Sequence, residues 1–234
     1  MRRDSEDVFY PASAGPAPWP SGWTVEAVIQ TLEPMVLVER RERIDSILRQ
    51  RLASVTVLMD APYDPHNGAA VMRSADAFGL QRVHVVPRSD GFAVSGNVAR
   101  GTERWVDVIV HDGPQLALRS LRAEGFQLVS THPKGTLLPH ELREIPRLAL
   151  VLGNEHSGIS AELQAGVEQS VRIPMRGFVE SLNVSVCAAI ALSSATSGRP
   201  GDLDASELRF LYARGLFRTV ARADEVLGAL RPPA

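Results

Sequence analysis

An α/β fold, with a mostly parallel sheet covered by helices on both faces, is predicted by three features of this 234-residue chain. Short apolar runs rich in Val, Leu and Ile alternate with helical patterns, the order expected of βαβ units. The run 148–152, Leu-Ala-Leu-Val-Leu, is apolar at every position, as a parallel strand buried on both faces must be. A glycine and then polar residues follow that run at once, at the strand end where open α/β sheets place their ligands.

The elements follow in order. Residues 1–33 carry Pro11, Pro16, Pro18 and Pro20 among Ala, Ser and Gly, and read as an extended or disordered arm with Phe9, Trp19 and Trp23 as surface anchors. Residues 35–51 have helical spacing, with Val38, Ile44, Ile47 and Leu48 apolar. Strands are predicted over 55–59, 82–86, 106–110, 126–131, 148–152 and 171–174. Helices are predicted over 67–78, stopped by Gly79, over 114–124, stopped by Gly125, over 160–165 and over 183–194. Gly198, Pro200 and Gly201 break the pattern, and 205–230 reads as one or two helices. The division expected is an arm over 1–33, an N-terminal helix over 34–53, one α/β domain over 54–197 and a helical extension over 198–234.

Composition excludes several classes. At 44% hydrophobic the chain can bury a full core. It has no apolar run of the length, about 18 residues, that a transmembrane helix needs. Arg2 and Arg3 lack the apolar stretch of a secretory signal. The single cysteine, Cys187, excludes an internal disulfide, fits a reducing cytoplasm, and reads as a small core residue. Six histidines, at 66, 84, 111, 132, 140 and 156, form no metal-ligand spacing, so no metal is expected. No G-x-G-x-x-G opens a helix and no G-x-S-x-G elbow is present, which removes the usual dinucleotide and serine-hydrolase readings. The net charge of −2 and pI near 6.3 do not advertise nucleic acid. Yet Lys134 is the only lysine, and arginine, which supplies every other base, grips phosphate in a fixed fork.

Three motifs carry the chemistry. The first, Asp60-Ala-Pro-Tyr-Asp-Pro-His-Asn67 through Arg73 to Gly79, follows a strand. Asn67 reads as the helix N-cap there, which leaves Arg73, among Ala69, Ala70, Ala75 and Ala77, without a structural role. The second is Gly153-Asn154-Glu155-His-Ser-Gly158-Ile-Ser160, with Ser157 or Ser160 as a helix cap and a carboxylate, Glu155, at a strand end. The third runs Ile173-Pro-Met-Arg-Gly-Phe-Val-Glu-Ser181-Leu182-Asn183-Val-Ser. In this order, each after a strand, they resemble the signature motifs of the SpoU/TrmH family of RNA ribose 2′-O-methyltransferases, within the SPOUT superfamily, over roughly residues 34–197.

The resemblance implies an α/β domain with a C-terminal deep trefoil knot, flanked by N- and C-terminal helices, and a homodimer joined through the knot. It implies S-adenosylmethionine as cofactor, with Thr131, Gly153, Ile173 and Leu182 lining its pocket. Arg73, Asn67, Glu155, Ser181 and Asn183 are the implied catalytic set, Glu155 orienting Arg73. Arg73 either takes the proton of the 2′-hydroxyl or relays it through the target phosphate; a guanidinium pKa above about 12 favours the relay. The flanking helices resemble those of tRNA enzymes that act on the D-loop guanosine, position 18. An rRNA methyltransferase, including the self-resistance type, and an inactive RNA-binding relative are the alternatives. For RNA contact, Arg214, Arg218 and Arg222 recur every four residues and are expected along one helix face, with Arg40, Arg41 and Arg43 as a second patch.

Overall fold

The computed structural model describes residues 17–87, 105–154 and 156–230. The chain divides into two compact units, Leu52–Pro200 and a discontinuous one made of Met1–Arg51 with Gly201–Ala234.

Leu52–Pro200 is built on a six-stranded, all-parallel sheet. The strands are β1 (Val55–Asp60), β2 (Arg82–Val86), β3 (Asp107–Val110), β4 (Gln127–Thr131), β5 (Leu148–Leu152) and β6 (Gln169–Val171). Their spatial order is β3-β2-β1-β5-β4-β6, which puts β1 and β5 side by side at the centre in the register Val57↔Leu150 and Met59↔Leu152. Every residue of β1, β2 and β5 is buried, so the sheet is covered on both faces. Side chains alternate between two cores. Val57, Met59, Leu148, Leu150 and Leu152 face one core, shared with Val71, Ala75, Ala188 and Leu192. Leu58, Ala149 and Val151 face the other, shared with Leu118, Leu121 and Leu163.

The first core is covered by α3 (Pro65–Ala77) and α6 (Val184–Thr196), which pack on each other; α6 also packs on a 3-10 turn over Pro139–Glu144. Small residues at 188, 191 and 195 let α6 approach closely. Its exit is clamped by Arg199, whose guanidinium donates to the carbonyls of Ala195 at 2.8 Å, Pro146 at 3.0 Å and Arg143 at 3.1 Å, and also to those of Leu142 and Ile145. The second core is covered by α4 (Pro114–Ala123) and the short α5 (Ala161–Gln164).

In the other unit, α1 (Val25–Leu32) and α2 (Val38–Leu48) pack on α7 (Ala205–Thr219), and α8 (Ala223–Ala229) follows. Three sequence expectations need correction. The arm expected over 1–33 is, from residue 17 on, packed structure. Thr24 caps α1 by accepting from the Ala27 amide at 3.1 Å, and Trp19 and Trp23 are buried, Trp19 lying 5.3 Å from the Phe210 ring. Local proline content outweighed a real helical pattern at Ala27, Val28, Ile29 and Leu32. Residues 1–16 lie outside the described residues. The helix expected over 35–51 shortens to Val38–Leu48, because Pro34 starts a separate 3-10 turn over Glu33–Met35. The strand expected over 171–174 ends at Val171, where the ladder to β4 stops; Pro174 has no amide to extend it. Among the described residues no helix is long and apolar enough to cross a membrane.

Burial also traps a histidine pair. Nδ1 of His84 in β2 lies 2.8 Å from Nε2 of His111, so one ring donates and the other accepts. Burial, with His111 and Arg82 nearby, pushes the His84 pKa down from 6.5 to about 3. Burial lowers that of His111 too, opposed by Glu124 and Asp112. Above pH ~6.5 both rings are neutral whether the chain is folded or not, and the pair is indifferent to pH. Below it, the unfolded chain binds protons that the folded pair refuses, so stability falls as the pH drops from 6.5 toward about 3. Thermal unfolding of wild type is expected to lose stability over that window. The His84→Leu/His111→Leu chain, with both partners replaced, should show a shallower loss; equal slopes would contradict the trapped pair.

Candidate functional site

The sheet delivers the three motifs to one edge. β1 and β5 are neighbours and parallel, so the loops after Asp60 and after Leu152 leave side by side. β4 and β6 bring Thr131 and Val171 to the same edge.

The first and second motifs are tied by Asp60. Its buried carboxylate accepts from the backbone amide of Ser160 at 2.6 Å. The loop between Gly153 and Ser160 is closed on itself. The Asn154 and Gly158 backbones form a bridge, and Asn154 Oδ1 accepts from the amides of His156 at 2.9 Å and Ser157 at 2.7 Å. Gly153 is required by this packing: a Cβ there would stand 2.2 Å from the carbonyl carbon of Gly158 and 2.5 Å from the amide nitrogen of Ile159. Ser160, not Ser157, caps α5, accepting from the Leu163 amide at 3.4 Å.

The first and third motifs are tied by two asparagines. The expected N-cap role of Asn67 is overturned: Asp64 caps α3, accepting from the His66 amide at 2.8 Å, with Pro65 at the first helical position where it fits best. Asn67 is thereby one turn inside the helix, and its Oδ1 accepts from Nδ2 of Asn183 at 3.0 Å. Asn183 is itself the N-cap of α6, its Oδ1 accepting from the Ser185 amide at 2.8 Å and from the Ser185 hydroxyl at 2.6 Å. One asparagine both starts the helix and reaches across to the first motif.

Beside this pair is a cavity of about 140 Å³. Its lining includes Thr131, Gly153, Ile173 and Leu182, all four residues expected at a cofactor, together with Ser181 and Met175. Cys187 also lines it, half-buried rather than in the core, and burial pushes its thiol pKa up. The donor set fits an adenosyl cofactor: apolar side chains for a purine face, and hydroxyls and loop backbone for its polar edge. Arg73 is exposed on α3, six residues beyond Asn67. Glu155 lies outside the described residues. Sequence reasoning missed Asp60 and Asn154; the signals were a carboxylate at a strand's end and an Asn-x-x-Ser turn.

The expected arginine row does not form one helix face. α7 ends at Thr219, and Arg222 sits in a left-handed conformation at φ 58°, bonded to Glu225 at 2.9 Å. Arg214 is buried, its guanidinium 5.8 Å from the centre of the Phe210 ring, and Arg218 is half-buried. In the other patch Arg43 is exposed, while Arg40 and Arg41 are half-buried on α2.

A parallel sheet with a small-molecule cavity at its carboxyl edge, and polar side chains from neighbouring loops beside it, defines a ligand-binding α/β enzyme domain. Residues 54–193 match the sequence model of the SpoU rRNA Methylase family, and the chain belongs to that family. It is 35% identical over 163 residues to the tRNA (guanosine(18)-2′-O)-methyltransferase of Thermus thermophilus, covering 68% of this chain and 83% of that protein. The structure is similar to that of the TrmH/SpoU tRNA modifying enzyme of A. aeolicus, with a TM-score of 0.69 and 26% identity over 82% of this chain and 99% of that one. It is also similar to the SpoU methyltransferase AviRb of Streptomyces viridochromogenes in complex with AdoMet, with a TM-score of 0.55 and 25% identity over 63% of this chain and 60% of that one.

Gly153→Ala is expected to lower stability by about 1–3 kcal/mol, because its methyl group meets backbone that has nowhere to go. Gly177→Ala, where a Cβ meets nothing within 4 Å, is the control and should stay within about 0.5 kcal/mol of wild type. Denaturant unfolding compares the two; equal stabilities would show that the 153–158 loop yields freely.

Proposed function

We propose that this chain transfers the methyl group of S-adenosylmethionine to a ribose 2′-hydroxyl of RNA, and that its target is guanosine 18 of tRNA. The observation that carries the reading is the Asn67–Asn183 hydrogen bond beside the cavity lined by Thr131, Gly153, Ile173 and Leu182. It joins the first motif to the wall of the cofactor site. The named activity of the Thermus relative supports the choice of tRNA over rRNA.

When bound, S-adenosylmethionine supplies an electrophilic methyl group on sulfur. The protein's part is placement and proton removal. Asn67, Asn183 and Ser181 hold the geometry of the first and third motifs, and Arg73 reaches the target phosphate and hydroxyl. The 2′-oxygen would accept that methyl group, and its proton leaves through the phosphate that Arg73 holds. Glu155 orients Arg73. Holding the reactants in line in a site that excludes water supplies much of the rate.

The same reading takes the C-terminal part of Leu52–Pro200 as a deep trefoil knot and pairs two copies through it. Val186 and Ile190 on α6, and Phe178 and Val179 in the loop before it, are exposed and suit such a contact. RNA is gripped by the exposed Arg43 and its neighbours Arg40 and Arg41 on α2, a patch that appears twice in a dimer. The enzyme acts in the cytoplasm and uses no metal.

Calorimetry with S-adenosylmethionine is expected to give the same affinity with and without a chelator; loss of binding on chelation would overturn the metal-free reading. Arg73→Ala should keep that affinity within about twofold while methyl transfer to tRNA falls roughly 100-fold or more. Arg73→Lys should fail as well, since an ammonium cannot reproduce the planar fork. Near wild-type turnover in Arg73→Ala removes Arg73 from the mechanism.

A further inference from the structure

At the rim of the site two aromatic rings stand in the open. Tyr63, in the loop after β1, is 54% exposed, and His156, in the loop after β5, is exposed as well. The rings meet edge to face, 4.5 Å apart at 86°. Neither has a role in the core, and each stands on a fixed base. Before Tyr63 the chain turns sharply at Ala61, which has a φ of 44°, and the Ala61 amide donates to the Val86 carbonyl at 2.9 Å. Pro62 is buried, and Asp64 caps α3. A non-glycine residue at positive φ is strained, and the strain is tolerated here in the turn that delivers Tyr63. His156 is held through its amide by Asn154, in the loop closed by the Asn154–Gly158 bridge.

The position fits a nucleic-acid ligand. Tyr63 is four residues before Asn67, and His156 three after Gly153, which lines the cavity. A ribose that presents its 2′-oxygen to that cavity brings its base, and the next one, to the surrounding rim. A base in a single-stranded or looped segment is open on its face, and an exposed aromatic ring there gives it a stacking partner. Proteins read unstacked RNA in this way, through exposed aromatic rings rather than charge. That also suits a chain of net charge −2.

We propose that Tyr63 and His156 form a stacking platform for an RNA nucleobase, that of the methylated nucleotide or of its immediate neighbour. The proposal rests on the RNA methyltransferase reading above. Tyr63 and His156 are then positioning and binding residues, and the chemistry stays with the motif side chains.

The test is the affinity of this chain for an unmodified tRNA transcript, with methyl transfer measured in parallel. Tyr63→Ala and His156→Ala are each expected to weaken RNA binding roughly 5- to 50-fold, in the range of losing one base–aromatic stack. Tyr63→Phe, which keeps the ring, should bind as wild type does. S-adenosylmethionine affinity and thermal stability should not move in any of the three. Transcripts with an abasic residue identify the base. If an abasic target nucleotide erases the Tyr63→Ala defect, the platform holds the target base; if an abasic neighbour erases it, the platform holds that neighbour. Unchanged RNA affinity in Tyr63→Ala, a defect that persists with both abasic transcripts, or a loss of stability that accounts for it overturns the platform. A wild-type chain that binds RNA with this dependence but transfers no methyl group overturns the methyltransferase reading alone. A chain that does not bind RNA overturns both.

Discussion

Burial of the parallel sheet on both faces is the constraint from which the rest of this protein follows. β1 and β5 each pair with a strand on either side and present side chains to a closed core above and below. Their faces are full and their edges are hydrogen-bonded, so only their ends are left for chemistry. Because all strands run the same way, every loop that follows a strand emerges at one edge. The order β1-β5-β4-β6 then sets which motifs can meet. Residues separated by a hundred positions or more, such as Asp60 and Ser160 or Asn67 and Asn183, become hydrogen-bonding neighbours, a pairing that no local sequence pattern specifies.

The site economises on polar groups. Asn183 caps a helix, a role worth about 1 kcal/mol, and also orders the first motif through Asn67. Asp60, a buried carboxylate, is satisfied by a backbone amide and so fixes the entrance to the short helix after the second motif. Gly153 leaves no room for a side chain, and that closeness holds the 153–158 loop against the cavity. Removing any of these groups disturbs folding and geometry together. Arg73, Tyr63 and His156 are different: they are exposed, and the roles proposed for them lie in contacts with substrate rather than in packing.

The sheet was legible in the sequence because burial on both faces leaves runs such as 148–152 with no polar position. The cavity residues Thr131, Gly153, Ile173 and Leu182 were reached through family resemblance, and the structure brings them together at one cavity. What was not legible depended on contacts distant in sequence or on competition between nearby signals. Asn67 looked like a cap until Asp64-Pro65 supplied a better one. Proline content masked the helix at 25–32, whose apolar face is satisfied within its own unit. The arginine spacing at 214, 218 and 222 assumed one continuous helix, and the left-handed Arg222 ends that continuity. Arg199, which collects five backbone carbonyls, carries no motif that would distinguish it from a solvated arginine.

The oxygen methylated under the proposed reaction is a ribose 2′-hydroxyl, presented at the edge where the three motif loops meet. Nucleoside mapping of an unmodified tRNA after reaction with S-adenosylmethionine tests it directly, with a second tRNA carrying a 2′-deoxyguanosine at position 18. One 2′-O-methylguanosine is expected at position 18 in the first RNA and none in the second. Methyl groups on a base, or equal incorporation into the deoxy-substituted RNA at that position, would contradict it.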